Sequence, residues 1–401
     1  MTLSPSEHDH LTQQRQHFPA LQTKTYFNYG GQGPLPQGAI AAINAAHYQL
    51  QEVGPFSFGA YVLVGQETDL TRNAIAQNLQ VPAQTITLTD NVLTGCNIVL
   101  WGVPWQSGDH ILLSDCEYPA VVATVQELQR RFGIEYSFCP LMDTLNQGDP
   151  VAVMQEHLQP KTRLVILSHV LWNTGKVLPM KAMVQVCHEA NAQVLVDAAQ
   201  SVGVLPLNLT DLNADFYAFT GHKWWCGPAG LGALYVNPVA YDSLRPTFIG
   251  WRGVLKDDQG HPIGFLDDGQ RFEVSTYDFT SLIALREAIA LHNSWGTAEE
   301  RFQRILSLSE YLWQQLVTMP HLHCFRTTPP ECGLVFFQVK SANPKIHSAV
   351  VQALEKQGFL LRTILEPDCI RACVNYLTLE SEIDALVTTL KTVLAELVGA
   401  G

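Results

Sequence analysis

Short apolar runs alternate along the chain with longer segments whose apolar residues recur at helical spacing. Between residues 85 and 236 the short runs are largely apolar, as in TITLT (85–89), HILLSD (110–115), RLVILSHV (163–170) and QVLVDAA (193–199). Strands of this kind are buried on both faces, which is typical of parallel sheets covered by helices on both sides. The pattern therefore predicts an α/β domain with a mainly parallel sheet.

Beyond residue 265 the pattern changes. The polar segment LDDGQRFEVSTYD is followed by long helical stretches, by a strand-like GLVFFQV, and by EIDALVTTLKTVLAELV, whose apolar residues share one helical face. We predict a large domain over residues 21–262, a smaller α+β domain over 263–401, and an N-terminal segment 1–20 that packs near the small domain.

Composition and charge narrow the classes of function. The 401 residues are 47% hydrophobic and 15% charged, which favours a globular protein with a large interior. A net charge of −13 argues against a nucleic-acid partner, because phosphate binding needs a basic surface. No apolar run is long enough for a membrane helix, and the first residues lack the pattern of a secretory signal. Nine cysteines without a CxxC pair favour a reducing cytoplasm and no metal site.

Four groups of polar residues directly follow predicted strands. They are TDNVLTGCN (89–97), SDCEYPA (114–120), VDAAQSVG (196–203) and AFTGHK (218–223). In open parallel sheets, ligands bind beyond the carboxyl ends of the strands. A lysine is rarely buried without a partner or a task. Lys223, in a turn between two buried strands, is therefore a candidate for chemistry.

Together the four groups meet the needs of pyridoxal 5′-phosphate (PLP). This cofactor requires a lysine for its Schiff base, a carboxylate at the pyridinium nitrogen, a stacking ring, and phosphate donors at a helix start. Lys223, Asp197 and Tyr118 match the first three needs. Phosphate donors would be the backbone N–H groups of Thr94 and Gly95 and the side chains of Thr220 and His222. Taken singly, each residue also has a commoner structural role, such as helix capping or packing.

The order DAAQS, then TGHKWWCGPAGLGALYV, resembles the class V branch of fold-type I PLP enzymes. That branch includes cysteine desulfurases, kynureninases and isopenicillin-N-epimerase-like proteins. The resemblance extends from YFNYGGQGPLP (26–36) through RFEVSTYD (271–278) to CIRACVNYLTLESEID (369–384). It implies a mainly parallel seven-stranded sheet flanked by helices, and a homodimer in which the two subunits share the active sites.

The resemblance also implies roles for single residues. Lys223 would carry the cofactor, Asp197 would bind the pyridine nitrogen, and Gln200 would bind the ring hydroxyl. The remaining cofactor contacts implied are Thr94, Thr220 and His222 at the phosphate, Asn173 of LWNTG near the ring, and Thr276 reaching the phosphate of the partner subunit.

For the substrate, the resemblance implies that Arg371 of IRACVNY holds a carboxylate. A bidentate arginine–carboxylate pair suits that task. Arg362 of LLRTI is a second candidate. Tyr29, Trp224 and Trp251 are candidate walls of the side-chain pocket.

Two departures from the family pattern bear on the reaction. The usual stacking residue is a histidine after a glutamate, whereas CEYPA places Tyr118 there, and a tyrosine is no acid or base near neutral pH. Desulfurases carry a nucleophilic cysteine on a mobile loop between the two arginine regions. Here that stretch, RTILEPDCIR, is short, and Cys369 is expected to pack on a strand.

Within the branch, the chain resembles cystine and cysteine C–S lyases of the cyanobacterial type. The resemblance implies a PLP-dependent β-elimination that yields pyruvate, ammonia and cysteine persulfide or sulfide, with an iron–sulfur apoprotein as a sulfur acceptor. A desulfurase that forms alanine, an epimerase or aminotransferase, and a catalytically idle cofactor-binding protein stay open as alternatives. A nicotinamide dehydrogenase is disfavoured because no GxGxxG follows an early strand.

Overall fold

The computed structural model describes residues 5–398, which form twelve α-helices and fifteen strands. The helices are α1 (Pro5–Gln16), α2 (Gln37–Val53), α3 (Phe58–Leu79), α4 (Val92–Gly102), α5 (Pro119–Phe132), α6 (Pro150–His157), α7 (Met180–Glu189), α8 (Leu209–Leu212), α9 (Phe279–Trp295), α10 (Ala298–Val317), α11 (Ile346–Lys356) and α12 (Glu380–Val398). The strands are β1 (Thr25–Tyr26), β2 (Ile86–Thr89), β3 (His110–Ser114), β4 (Glu135–Cys139), β5 (Thr162–Ser168), β6 (Gln193–Asp197), β7 (Phe216–Thr220), β8 (Gly232–Val236), β9 (Val254–Lys256), β10 (Pro262–Phe265), β11 (Leu322–Cys324), β12 (Leu334–Val339), β13 (Phe359–Leu360), β14 (Arg362–Leu365) and β15 (Asp368–Cys373).

The largest sheet has seven strands in the order β2-β8-β7-β6-β5-β3-β4. Only β8 runs antiparallel to its neighbours in this sheet, so the other six strands share one direction. The mainly parallel seven-stranded sheet expected from the sequence is confirmed. The carboxyl ends of its parallel strands meet at one edge, where the polar groups of the sequence now come together.

Both faces of this sheet are buried, except along the edge strand β4, where only Cys139 is buried. In β3, Leu112 joins one apolar cluster while its neighbours Ile111 and Leu113 join another on the opposite face. Successive residues of a strand point to opposite faces of the sheet. A strand that is covered by other elements on both faces therefore needs apolar side chains at successive positions. Each such side chain contributes roughly 1.5–3 kcal/mol when fully buried. This explains why the strands read as unbroken apolar runs.

A second sheet of four antiparallel strands has the order β11-β12-β15-β14. On β15, Ile370 and Ala372 join a cluster formed with α10, α11 and α12, whereas Cys369 and Cys373 face the core of the large sheet. Because side chains alternate along a strand, Arg371 lies on the same face as these two cysteines. The second sheet therefore presents Arg371 towards the large sheet.

The predicted domain boundaries differ from the observed pairing. The boundary between residues 262 and 263 falls inside β10, which pairs with β9. At the other end of the chain, β1 pairs with β13, and Asn28 forms a bridge with Cys373 of the second sheet. The two parts of the chain are thus interleaved, because long-range strand pairing joins segments that look separate in sequence.

The N-terminal helix α1 contacts the C-terminal part of the chain. The Arg15 guanidinium donates two hydrogen bonds to the Glu382 carboxylate, at 3.0 and 2.7 Å. Gln14 donates to the backbone oxygen of Leu291 in α9 at 2.6 Å. Residues 14 and 15 thus contact α9 and α12, whereas residues 1–4 of the predicted N-terminal segment lie outside the described range. Between residues 5 and 398, no helix combines the length and apolar character that crossing a bilayer requires.

A buried histidine links α9 to the turn after β7. The Nε2 atom of His292 lies 3.0 Å from the Trp225 carbonyl oxygen, and Nδ1 lies 2.7 Å from the Tyr376 hydroxyl. A carbonyl only accepts, so Nε2 carries the proton and Nδ1 accepts from Tyr376. Burial, helped by the nearby Arg301 charge, lowers the pKa of His292 to about 3. The imidazole is therefore neutral in the folded protein.

The depressed pKa of His292 predicts acid sensitivity. A histidine with a lower pKa folded than unfolded stabilises the fold above about pH 6.5, and that stabilisation is lost as the pH falls below 6.5. Between pH 7.5 and 5.5, the wild type should lose about 1.4 kcal/mol of unfolding free energy relative to His292→Gln. Urea titrations of both proteins at the two pH values measure this, and parallel losses in both would contradict it.

Candidate active site

Lys223 lies in the loop between β7 and β8. Its neighbour His222 accepts a hydrogen bond from the Gly33 N–H at 2.8 Å through its backbone oxygen, and the Lys223 carbonyl accepts from the Cys226 N–H at 3.0 Å. These bonds fix the backbone on both sides of the lysine. Its side chain is half-buried at the carboxyl edge of the sheet. The lysine is thus held rigidly where the sheet topology places ligands.

Asp197 is the last residue of β6, next to β7. Its carboxylate is only 5% exposed, and one oxygen accepts from the Ala199 N–H at 2.9 Å. Among residues 5–398 no side chain donates to it or forms an ion pair with it. A buried carboxylate without a side-chain partner is unfavourable unless a ligand pairs with it. The arrangement fits a cationic ligand group such as a protonated pyridine nitrogen.

The surroundings of Lys223 favour its neutral amine. Burial, opposed by the Asp197 carboxylate and helped by the nearby charges of Arg371 and Arg362, lowers the pKa of Lys223 to about 8. Burial also raises the pKa of Asp197, while the Lys223 charge lowers it. A neutral amine near physiological pH can act as a nucleophile or a base.

The donors expected for a phosphate only partly fit the structure. Thr220 Oγ1 and His222 Nδ1 are 2.6 Å apart, at the carboxyl end of β7. In α4, however, the Thr94 N–H donates to Asn91 Oδ1 at 3.0 Å, and the Gly95 N–H donates to the Asn91 carbonyl at 3.2 Å. These two backbone donors are occupied inside the helix. The Thr94 hydroxyl makes only a long hydrogen bond, 3.4 Å, to Asn91 Oδ1. The first N–H groups of α4 have no partner within a helix, so they and this hydroxyl can turn to an anion.

Gly95 has a packing role instead of the predicted contact with a phosphate. It is buried, and a Cβ at this position would lie 2.9 Å from the Cβ of Ala218 in β7. Any larger residue would push α4 away from the sheet. The glycine therefore lets the start of α4 approach the sheet edge, and this places Thr94 near the site.

The residues expected around a ring are brought together here. Tyr118 is 43% exposed, and its ring meets Trp172 edge to face, with 5.6 Å between centroids. Asn173 is buried, and its Oδ1 has no hydrogen-bond partner in the described chain. Gln200 donates a hydrogen bond to the Gly30 carbonyl and accepts one from the Trp224 indole N–H, both at 2.9 Å. The second N–H of its amide has no partner in the described part of the chain. An open aromatic face and unpaired amide groups suit a ring with polar substituents.

Two arginines of the second sheet face this site. Arg371 is 2% exposed, donates to the Trp172 carbonyl at 3.2 Å, and has no hydrogen-bond partner at Nε within residues 5–398. Arg362 on β14 is its direct partner in the strand pairing. No carboxylate of the described chain pairs with Arg371. A buried guanidinium in this state fits an anionic ligand such as a substrate carboxylate.

The candidate pocket walls separate into two groups. Tyr29 and Trp224 are fully buried and stack on each other, with 6.2 Å between ring centroids, so they belong to the core instead of the predicted pocket wall. Trp251 is 48% exposed. Thr276 is also exposed, and it lines a cavity of about 240 Å³ together with Thr94. Thr94 and Thr276 of one chain thus line the same cavity, and the contact of Thr276 with the phosphate of a partner subunit stays a prediction.

All nine cysteines are free and buried. Cys369 lies on β15 as expected, and burial raises the pKa of its thiol to about 12, which suits packing and not nucleophilic attack. Cys373 lies on the same face of β15 as Arg371. Cys373 was not predicted as a residue of the site. Its position two residues after Arg371 on a strand places both side chains on one face, and this spacing could have indicated it.

One further buried carboxyl, that of Glu117, was not predicted from the sequence. Its oxygens accept from the Ser114 hydroxyl at 2.5 Å and from the Ser168 N–H and hydroxyl, both at 2.8 Å. Burial raises the pKa of Glu117 to about 8, and the Asp197 charge contributes. Glu117 joins the ends of β3 and β5 directly before Tyr118. A glutamate in a turn gives no sequence signal for such burial.

The lowered pKa of Lys223 predicts unusual reactivity of the cofactor-free protein. At pH 7 a lysine of pKa 8 has roughly 300 times more neutral amine than one of pKa 10.5. Acetylation of Lys223 by acetic anhydride, followed by peptide mass spectrometry, should reach half its maximal rate near pH 8. Arg371→Gln should move this midpoint upward, because a neighbouring positive charge is removed. A midpoint above pH 10 in the wild type would contradict the prediction, with the exposed Lys181 as internal control.

The chain is similar to known proteins along most of its length. The cystine C–S lyase C-DES, solved in complex with its reaction product cysteine persulfide, is 51% identical and has a TM-score of 0.91, covering 93% of this chain and 98% of that chain. A lysine-to-alanine mutant of C-DES, with glycine covalently linked to the PLP cofactor, is 50% identical with a TM-score of 0.91, covering 94% of this chain and 98% of that chain.

More distant curated relatives have other activities. Isopenicillin N epimerase of Streptomyces clavuligerus is 27% identical over 394 residues, covering 93% of this chain and 96% of its own. A probable cysteine desulfurase of Methanothermobacter thermautotrophicus is 26% identical over 354 residues, covering 87% of this chain and 86% of its own. Residues 26–386 match the sequence profile of the family described as aminotransferase class-V. The chain therefore belongs to the class-V aminotransferase family.

Proposed function

We propose that the protein is a PLP-dependent carbon–sulfur lyase that performs β-elimination on L-cystine or L-cysteine. The observation that carries the proposal is the set of unpaired charges in one site, Lys223, Asp197 and Arg371. The 50% identity with a cystine C–S lyase over 94% of the chain supports the substrate class. The products are pyruvate, ammonia and cysteine persulfide or sulfide.

The unpaired groups of the site support PLP as the cofactor. When bound, the cofactor supplies an electron sink for the bonds at the substrate Cα. Lys223 would carry the cofactor, and the buried Asp197 would pair with its pyridine nitrogen. The other residues that would hold it are Tyr118 at the ring, Asn173 and Gln200 at the ring substituents, and Thr94, Thr220 and His222 at the phosphate.

The protein's own groups orient the substrate and move its proton. Arg371, with Arg362 beside it, binds the substrate carboxylate and so fixes the direction of the Cα–H bond. Lys223 removes the Cα proton as general base, and its neutral amine near pH 8 suits that task. The electron pair left at Cα forms the Cα–Cβ double bond as the Cβ–S bond breaks, and water then hydrolyses the released aminoacrylate to pyruvate and ammonia. From cystine the leaving group is a cysteine persulfide, which leaves more readily than the thiolate from cysteine.

Elimination is favoured over desulfuration by the hairpin of β14 and β15. Only residues 366 and 367 connect the two strands, so no mobile loop can carry a nucleophilic cysteine. Cys369 and Cys373 are both fully buried within β15. The persulfide product would then deliver sulfane sulfur to an acceptor such as an apoprotein in iron–sulfur assembly. Nine reduced thiols in one chain support a cytoplasmic location.

We also propose that the protein is a homodimer with shared sites. Large apolar side chains are exposed on α2, α3 and the turn between them; these residues, named the apolar surface, are Tyr48, Phe56, Phe58, Tyr61 and Leu70. Exposed apolar groups this concentrated mark interaction surfaces. A second copy of the chain would cover them and bring Thr276 and Trp251 to the neighbouring site.

The reaction predicts distinct products. Purified enzyme with cystine should form pyruvate and sulfane sulfur in equal amounts, measured by coupled lactate dehydrogenase and by cyanolysis. Lys223→Ala should lower the pyruvate rate by about 100-fold or more, because the general base is lost. Cys369→Ser and Cys373→Ser should still release sulfane sulfur. Alanine without pyruvate would show desulfuration instead, and an unbroken Cβ–S bond would show epimerisation or transamination.

The apolar surface predicts a variant that separates the subunits. Phe58→Asp should convert the dimer to monomer, because a charge is placed among exposed apolar side chains. Light scattering after size exclusion measures the mass. The matched control is Phe138→Asp, an exposed phenylalanine of the edge strand β4, which should stay dimeric. A wild-type monomer would overturn the proposed dimer.

A further inference from the structure

Residues 247–278, here named the arm, carry both Trp251 and Thr276. Both side chains are exposed, and neither belongs to an apolar cluster. Side chains that complete a neighbouring site must nevertheless stay in one place. The arm therefore needs an anchor of its own.

The anchor is the buried carboxylate of Glu273, which is 2% exposed. One oxygen accepts from Arg72 of α3 at 2.6 Å and from the Leu88 N–H of β2 at 2.9 Å. The other accepts from Arg72 at 3.2 Å and lies 3.6 Å from Nε of Arg252. A single carboxylate thus connects the arm to a helix and to an edge strand of the large sheet.

Arg252 connects the two halves of the arm, which are the segment around Trp251 and the segment 273–278. Its guanidinium lies over the Tyr277 ring at 4.2 Å and over the Trp251 ring at 5.2 Å. Cation–π contacts of this kind hold flat groups at fixed distances. The Trp251 indole N–H also donates to the Ser275 hydroxyl at 3.3 Å. Trp251 is therefore tied through its neighbour to the segment that contains Thr276.

The backbones of the two halves are also in direct contact. A Cβ on Gly250 would lie 1.7 Å from the Val274 carbonyl oxygen, closer than any side chain allows. Only glycine permits this approach. Gly250 precedes Trp251, and Val274 lies two residues before Thr276, so the spacing between these two side chains is set locally.

A buried cluster of two arginines and one glutamate is a poor source of net stability, because desolvation offsets much of the attraction. Its directional bonds instead define a geometry. We propose that Glu273 and Arg252 are positioning residues, which hold Trp251 and Thr276 of one subunit where they complete the cofactor and substrate site of the other. This inference rests on the proposed dimer with shared sites.

Mixed dimers test the inference. Arg252→Met removes the link between the halves of the arm and leaves the Arg72–Glu273 pair intact. Two differently tagged chains are co-expressed and the mixed dimer is purified through both tags. In each mixed dimer one chain carries Lys223→Ala, so only one site can hold the cofactor on a lysine.

The two arrangements separate an effect on the neighbouring site from an effect on the same chain. In the first arrangement one chain carries Arg252→Met and the other carries Lys223→Ala. The site that keeps Lys223 then receives the intact arm of the Lys223→Ala chain. Its kcat/KM should equal that of a reference dimer of wild type and Lys223→Ala. When both changes are in one chain, the competent site receives the altered arm. Its kcat/KM should fall by up to about 100-fold, as expected for a misplaced contact group.

Cofactor binding gives a second readout that does not depend on turnover. The absorbance band of cofactor joined to Lys223 and its loss during dialysis should change only in the arrangement with both changes in one chain. The matched control is Arg271→Met, an arm arginine whose guanidinium lies over Tyr241, away from Glu273 and Trp251. It should behave as the reference in both arrangements.

Equal losses in both arrangements, or no loss in either, would overturn the inference. If Arg252→Met does not yield dimers, Arg252→Lys, which keeps the charge facing Glu273 but lacks the planar group, is tested in the same way and should show the same asymmetry. A wild type that forms no pyruvate would overturn the lyase proposal alone, and the absorbance comparison would still decide the inference.

Discussion

Asp197 carries a buried charge for which the described chain offers no side-chain partner, and the organisation of the site follows from it. The parallel sheet places this carboxylate at the end of β6, between the strands that carry Ser168 and Ala218. Lys223 and Arg371 lie near it, and each also lacks an ion-pair partner within residues 5–398. Burying a charged group without an ion-pair partner is costly, and a ligand of opposite charge offsets that cost. A cationic ligand group would pair with Asp197 and an anionic one would pair with Arg371, so these two side chains contribute to the selectivity of the site for ligands that carry both charges.

The second sheet is as important to this arrangement as the first. Its strand β15 points Arg371 towards the large sheet while its other face closes a separate core with α11 and α12. The chain connects the two sheets at residues 25–28, where β1 pairs with β13 and Asn28 forms a bridge with Cys373 of the second sheet. These connections hold the guanidinium and the lysine at a defined separation. A ligand that contacts both groups is therefore bound by residues that both sheets position.

Much of this could be predicted from the sequence. Six of the seven strands of the large sheet, together with Lys223 and Asp197, follow from unbroken apolar runs and from the polar residues that end them. Arg371 was implied by the resemblance to the family, and the edge strand β4 was not predicted. The domain boundary could not be predicted, because the pairing of β9 with β10 and of β1 with β13 depends on contacts distant in sequence. Tyr29 and Trp224 lie beside glycine-rich turns. The spacing of apolar residues in the sequence does not predict in which direction a side chain in a turn points. Glu117 and Glu273 are glutamates in polar segments, and only the fold shows that they are buried.

The two-residue connection between β14 and β15 has a consequence for how sulfur would travel. A cysteine on a long loop can carry sulfur across the protein surface and hand it to a docked acceptor. Here no such tether exists, and the thiols of β15 are sealed inside the structure. Sulfur removed from the substrate must leave as a small molecule. Its fate would then be set by diffusion and by competition among cellular thiols, and not by recognition between this protein and a recipient.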